Sequence, residues 1–222
     1  MSTVFKSAVR KALPGAALAV DFFHVSQLAN KAVGDVRRRV TYEAYGRRGR
    51  AADPEYTIKG LLVRGGEKLS EAARGRLLCT LSTLGDAGRQ LQAAWKAKEL
   101  LRDVLKLSPT RTGRATCRSQ VSAALVKFFD YCGTVGGTVA EVVTLAETVS
   151  AWREEIATAV LTGFSNAAAE GVNRLIKLVY RVAFGFTNVP NQQRRSRYVA
   201  SRSTRPQWLH SATTVAPREV VA

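Results

Sequence analysis

The sequence predicts a mainly α-helical protein that carries a single strand, and three observations predict it. Apolar residues recur at three- and four-residue steps through most of the chain, the mark of helices with one buried face. Only residues 16–20 combine the length and flanks of a buried strand. Of the 222 residues 46% are apolar, enough for a core, and 23% are charged, as in ordinary globular chains. One strand cannot make a stable sheet, so residues 16–20 need partner strands from elsewhere.

The elements follow in order. Residues 4–13 place Val4, Ala8, Val9, Ala12 and Leu13 on one helical face and Lys6, Arg10 and Lys11 on the other, and Pro14-Gly15 ends the helix. The strand 16–20 stops at Asp21. Val25, Leu28, Ala29, Ala32, Val33 and Val36 then spell a second helix that runs into Arg37-Arg38-Arg39. Residues 46–52 read as a basic loop, and Asp53-Pro54 as a helix start with proline at the first helical position. Helical spacing covers 56–64 up to the break at Gly65-Gly66, then 67–84, 86–107 and 116–132, with 108–114 a polar connection. Residues 133–137 form a glycine-rich break, 138–161 are helical, and 162–166 are a break and cap before the strongly amphipathic helix 167–184. No repeat of fixed period is present.

The charge is less ordinary than the composition. The chain holds 24 Arg and 10 Lys against 17 acids, a net charge of +17. Such a surplus favours polyanionic partners, nucleic acid before acidic membrane, and the arginine bias tilts further to phosphate because the guanidinium grips it bidentately. No apolar run approaches the roughly 20 residues of a membrane-crossing helix. The N-terminus lacks the apolar core of a secretory signal. Cys79, Cys117 and Cys132 are too few and too scattered for a disulfide scaffold or zinc knuckle, and are expected as reduced, buried thiols of a cytoplasmic protein. His24 and His210 cannot build a histidine-rich metal site by themselves.

Three constellations could carry chemistry. Asp21 and His24 lie three residues apart at the strand's end, where they could organise a phosphate or a metal, or where Asp21 could simply favour a helix N-terminus. On the helix 167–184, Glu170, Asn173, Arg174, Lys177 and Arg181 share a polar stripe, with Val172, Leu175, Ile176, Val179 and Val182 facing inward. A solvated, salt-bridged face is the commonest meaning of such a stripe. Against it, Gly171 inside the helix costs about 1 kcal/mol relative to alanine, which a close backbone approach would explain. The tail 188–222 interleaves Arg194, Arg195, Arg197, Arg202, Arg205 and Arg218 with Tyr198 and Trp208, fit either for stacking on bases or for a disordered solubilising tail.

Three strings then resemble one family. A-V-D-F-F-H-V-S-Q-L-A-N-K-A-V-G-D-V-R-R-R (residues 19–39), A-W-x-x-K-E-x-L-R (94–102) and S-N-A-A-A-E-G-V-N-R-L-I-K-L-V-Y-R-V-A-F-G-F-T-N (165–188) are similar, in order and spacing over about residues 2–197, to transposases of bacterial insertion sequences in the ISL-three group. The resemblance implies a DDE-type transposase with a ribonuclease-H-like α/β core, in which two Asp and one Glu hold two divalent metals, Mg²⁺ or Mn²⁺, for DNA strand cleavage and transfer.

Carried over residue by residue, Glu170 matches the catalytic, metal-binding Glu. Asp21 and His24 match a supporting D-x-x-H pair, and Asn173 supports the Glu helix. Arg174, Lys177 and Arg181 would contact phosphates of the transposon ends and target DNA, as would Arg194, Arg195 and Arg197. Residues 1–24 would be a remnant of the core with its last strand, 25–161 a helical insertion, 162–187 the core helix carrying the Glu, and 188–222 a disordered basic tail. The family's helix opening S-x-x-F/Y-K falls at Ser2-Thr3-Val4-Phe5-Lys6, so the preceding catalytic Asp would be encoded upstream of Met1. The expectation is therefore a truncated C-terminal part, inactive alone, that joins full-length transposase in oligomers. The alternative is a non-catalytic basic helical DNA-binding or regulatory protein.

Overall fold

A computed structural model describes residues 3–201. Among the described residues the regular structure is entirely helical: α1 Thr3–Ala12, α2 Phe22–Tyr45, α3 Pro54–Thr57, α4 Lys59–Val63, a 3₁₀ turn Gly66–Lys68, α5 Glu71–Thr83, α6 Gly85–Lys106, α7 Pro109–Thr112, α8 Arg118–Val135, α9 Ala140–Ala151, α10 Arg153–Thr162, α11 Ala167–Val182 and α12 Val189–Ala200. The backbone divides into two compact units between Ser165 and Asn166.

In the first unit α2 and α6 form the spine, with α4, α5, α8, α9 and α10 packed around them. The core is built from the stripes read in the sequence: Val25, Ala29, Val33, Val36 and Val40 of α2 meet Leu91, Ala94, Ala97, Leu101 and Val104 of α6, all buried. Asp21 caps α2 in extended backbone and accepts from the Phe23 N–H at 2.8 Å. Gly46 closes the helix at φ 63°, its N–H donating to the Tyr42 carbonyl at 2.7 Å. Helices α5 and α6 cross so tightly that a Cβ on Gly88 would lie 1.8 Å from the Leu81 carbonyl oxygen, so only glycine fits.

The turn between α4 and α5 is pinned to α6 by the W-x-x-K-E-x-x-R string. Lys98 is fully buried and donates to the carbonyls of Leu62 (2.6 Å) and Arg64 (2.7 Å), the open end of α4. Its ammonium also lies 2.7 Å from Glu99 Oε1, a Coulombic contact off the angle a hydrogen bond needs. Glu99 Oε2 accepts the Gly66 N–H at 3.1 Å, and Arg102 pairs with Glu67 beside Gly65. These residues act on the fold.

Several expectations change. Residues 16–20 form no strand and no other regular element. Val20 donates its N–H to the Glu155 carbonyl at 3.3 Å, so the segment is tied to α10 rather than to a sheet edge. Glu155, itself buried, also pairs with Lys6 (2.8 Å) and Arg10 (2.6 Å), which fixes α1. The expected break at 133–137 begins three residues later, because α8 runs through Gly133 to Val135. The stretch 138–161 is two helices split at Trp152, and 56–64 is split at Ile58. The polar connection 108–114 holds the short helix α7, started by Pro109 and stopped by Gly113 at φ 68°. Cys79 and Cys117 are exposed rather than buried; Cys132 is buried, which pushes its thiol up to about 12. No described helix is long and apolar enough to cross a membrane.

In the second unit α11 and α12 pack as a pair. The expected disordered tail is helical over Val189–Ala200, where the Asn188 side chain accepts the Asn191 N–H at 3.1 Å and caps α12. Arg202, Arg205, Trp208, His210 and Arg218 lie outside the described residues.

Candidate nucleic-acid interface and acidic residue

The stripe on α11 forms as its spacing requires. Glu170, Arg174, Lys177 and Arg181 follow one another at steps of four, three and four along one face, with Asn173 beside them. Arg174, Lys177, Arg181 and Asn173 are exposed, and Glu170 is half-buried in the first turn, where the helix dipole favours a carboxylate. Among the described residues none of these three cations has a carboxylate within 4 Å, so the face is not the salt-bridged surface that a solvated stripe normally makes. A Cβ on Gly171 would meet nothing within 4 Å, so no close approach among the described residues explains that glycine.

The opposite face is less buried than its periodicity suggests. Val172, Leu175, Leu178 and Val182 are exposed, while Ile176 and Val179 are half-buried. Leu178, Val179, Val182 and Ala183 share a pocket with Arg194, Arg195, Tyr198 and Val199 of α12. Arg195 lies over the Phe186 ring at 5.9 Å, and that ring meets Tyr180 edge-on at 5.6 Å. Arg194, Arg195 and Arg197 extend the cationic character of the unit onto α12, with Arg195 steadied by the Phe186 ring.

The second predicted constellation sits in the first unit. Asp21 serves the backbone as the cap of α2, and His24 is exposed in that helix's first turn, its ring edge-on to Phe23 at 5.9 Å. Asp21 and His24 thus belong to one compact unit and Glu170 with its cations to the other.

The family resemblance implies divalent metal, and the donor set can be tested against it. Two metals need several converging oxygens. Among the described residues no group of three or more His, Cys, Asp or Glu side chains stands close enough to hold one ion. Glu170 supplies one carboxylate, and the set does not fit a two-metal centre.

The basic run Arg37-Arg38-Arg39 hides a distinction that periodicity could not make. Arg39 is held by Glu141 (2.7 Å) and Glu43 (3.2 Å), which keep its guanidinium well above its usual range, and Arg38 by Asp35. Among the described residues Arg37 pairs with no acid, and it lies over the Tyr56 ring at 5.6 Å, where Lys59 also sits, 3.7 Å from the centroid. The neighbouring Lys59 ammonium, aided by Arg37, pulls the Tyr56 hydroxyl below its usual value. Nearby, Asp53 is drawn down to about 2 by the two-pronged Arg47 pair and the Arg50 N–H. Sequence reading missed the Arg37–Tyr56–Lys59 cluster; the signal available was a tyrosine three residues before a lysine across the α3–α4 junction.

A family model described as a transposase, of the ISL-three group and DDE type, matches residues 1–196. No curated protein and no solved structure matches the chain.

Proposed function

Because the chain belongs to the transposase family of the ISL-three group, we propose that it serves DNA transposition by gripping DNA phosphates through the unneutralised cations of α11 and α12, with Glu170 as its contribution to the cleavage site. The observation that carries the reading is the α11 face itself: one acid followed by three exposed cations that have no acidic partner among the described residues, inside a family match over most of the chain. Arg174, Lys177 and Arg181 neutralise backbone phosphates, a contact that positions DNA without reading its sequence. Asn173, one turn from Glu170, and the cap Asp21 with His24 are supporting residues. The lone carboxylate does not assemble a metal centre, so Mg²⁺- or Mn²⁺-dependent cleavage draws its remaining acids from outside the described residues, as in a mixed oligomer with full-length transposase.

The test is a nicking assay on transposon-end DNA with Mg²⁺ or Mn²⁺. The chain alone binds and does not cleave. A complex that supplies the missing acids cleaves with Glu170 and fails with Glu170→Gln, while DNA binding is unchanged. Cleavage at normal rates by the chain alone would contradict the proposal. The absence of a described acid cluster favours a second reading, a non-catalytic DNA-binding regulator; in that case Glu170→Gln leaves the activity of the mixed complex unaltered.

A further inference from the structure

A groove of about 520 Å³ runs between α2 and α4, lined by Lys31, Gly34, Arg37, Arg38, Lys59 and Gly60 among others. We propose that this groove is a separate binding surface for the phosphate backbone of duplex DNA, engaged by Arg37 and Lys59; the inference rests on the DNA-handling reading above. Four cations line it, and Asp35 takes up two of them, pairing with Lys31 at 3.2 Å and with Arg38. Arg37 and Lys59 have no carboxylate within 4 Å among the described residues. Both are held instead against the one Tyr56 ring. A ring face steadies a cation without neutralising it, so the pair is oriented and still able to take an anion.

The floor of the groove is kept open by glycine. Gly34 lies inside α2 at a cost of about 1 kcal/mol relative to alanine, and Gly60 is the second residue of α4. A Cβ at Gly60 would meet nothing within 4 Å, so the space beside it is open. The adjoining loop is fixed where Gly49 packs against Tyr56, Thr41 and Arg37, with a built Cβ 3.1–3.5 Å from each. Arg48 and Arg50 on either side of it are exposed, so the basic surface continues past the groove. Among the lining apolar residues Val33 and Leu62 are buried and Val63 is exposed, which leaves one small side chain to anchor a protein partner. Several cations beside a single exposed valine suit an extended polyanion better than an apolar protein face.

The test uses the full chain, an unrelated duplex, and binding followed across about 50–200 mM salt. Each phosphate contact contributes about 0.9 to the slope of log K against log salt, or about 8-fold in affinity at 0.1 M relative to 1 M. Replacing Arg37 and Lys59 together by Gln should flatten the slope by about 1.8 and weaken binding at 0.1 M by about 60-fold. Gly60→Glu puts an acid into the groove, at a position where a Cβ would meet nothing within 4 Å, and should weaken binding by about 8-fold or more. That single variant keeps the test valid if the double variant fails to fold. Unchanged affinity and slope for Gly60→Glu, in a chain whose wild type binds DNA, would overturn the groove and leave the α11 reading standing. Wild-type chain without DNA affinity at low salt would overturn both. If Gly60→Glu impaired binding to vesicles of anionic lipid but not to DNA, the groove would be a membrane contact and the proposal wrong.

Discussion

Lys98→Met removes one ammonium and keeps the length of the side chain, so the packing of the stem survives and the polar contacts do not. Two carbonyls at the end of α4 lose their donor, and Glu99 loses the cation 2.7 Å away. Breaking a buried ion pair by deleting one partner costs about 3–5 kcal/mol. Glu99 keeps the Gly66 N–H at 3.1 Å and Arg102 at 3.6 Å, which places the loss near the lower end, about 3 kcal/mol. For a unit of this size each kcal/mol moves the midpoint by about 2–4 °C, so Tm should fall by about 6–12 °C. Urea unfolding should give a lower midpoint with an unchanged slope, the sign of lost stability without a changed unfolded state.

The same residue gives a pH dependence. Burial lowers the Lys98 pKa below its ordinary 10.5, so between the folded value and 10.5 the unfolded chain binds more protons than the folded one. Wild-type stability therefore gains a rising component as pH climbs through that window, and Lys98→Met lacks it. A loss under about 1 kcal/mol, within the range of a single ordinary hydrogen bond, would refute the clamp.

Gly88→Ala should destabilise by about 3 kcal/mol or prevent folding, because its Cβ would sit 1.8 Å from the Leu81 carbonyl oxygen; equilibrium unfolding measures it. Gly171→Ala should do the opposite, stabilising α11 by about 1 kcal/mol without altering DNA affinity, as read by circular dichroism and a binding isotherm. Glu155→Gln should free α1, seen as faster amide exchange over Thr3–Ala12 while the α2–α6 core keeps its protection. His24→Ala should leave stability unchanged, since the ring is exposed, and should reduce the activity of a mixed complex less than Glu170→Gln does.

Much of the helical layout was legible because burial follows period. The α2 and α6 stripes in the core are the residues that recur at three- and four-residue steps, and Asp53-Pro54 and Gly65-Gly66 mark real ends. Residues 16–20 misled because a short apolar run tied to a helix carbonyl looks the same as a strand in sequence. Gly133 misled because a helix tolerates one glycine when its neighbours Phe128 and Cys132 are buried. On α11 the pattern gave the acid and its cations but overstated burial, since amphipathic spacing shows which face is apolar and not what covers it. The difference between Arg37 and its neighbours depends on Asp35, Glu43 and Glu141, the last about a hundred positions away in the chain. Asp35 and Glu43 stand at helical spacing from the arginines they hold, but no local pattern shows Glu141 or the ring that takes Arg37.

The central claim is that this chain handles DNA by gripping its phosphates. A salt titration of binding between the intact chain and duplex DNA tests it most directly. With at least Arg174, Lys177 and Arg181 engaged, log K should fall linearly with log salt at a slope of about −2.7 or steeper, and replacing those three residues by Gln should remove that much of it. A slope flatter than about −1, or no binding at about 50 mM salt, would contradict the account.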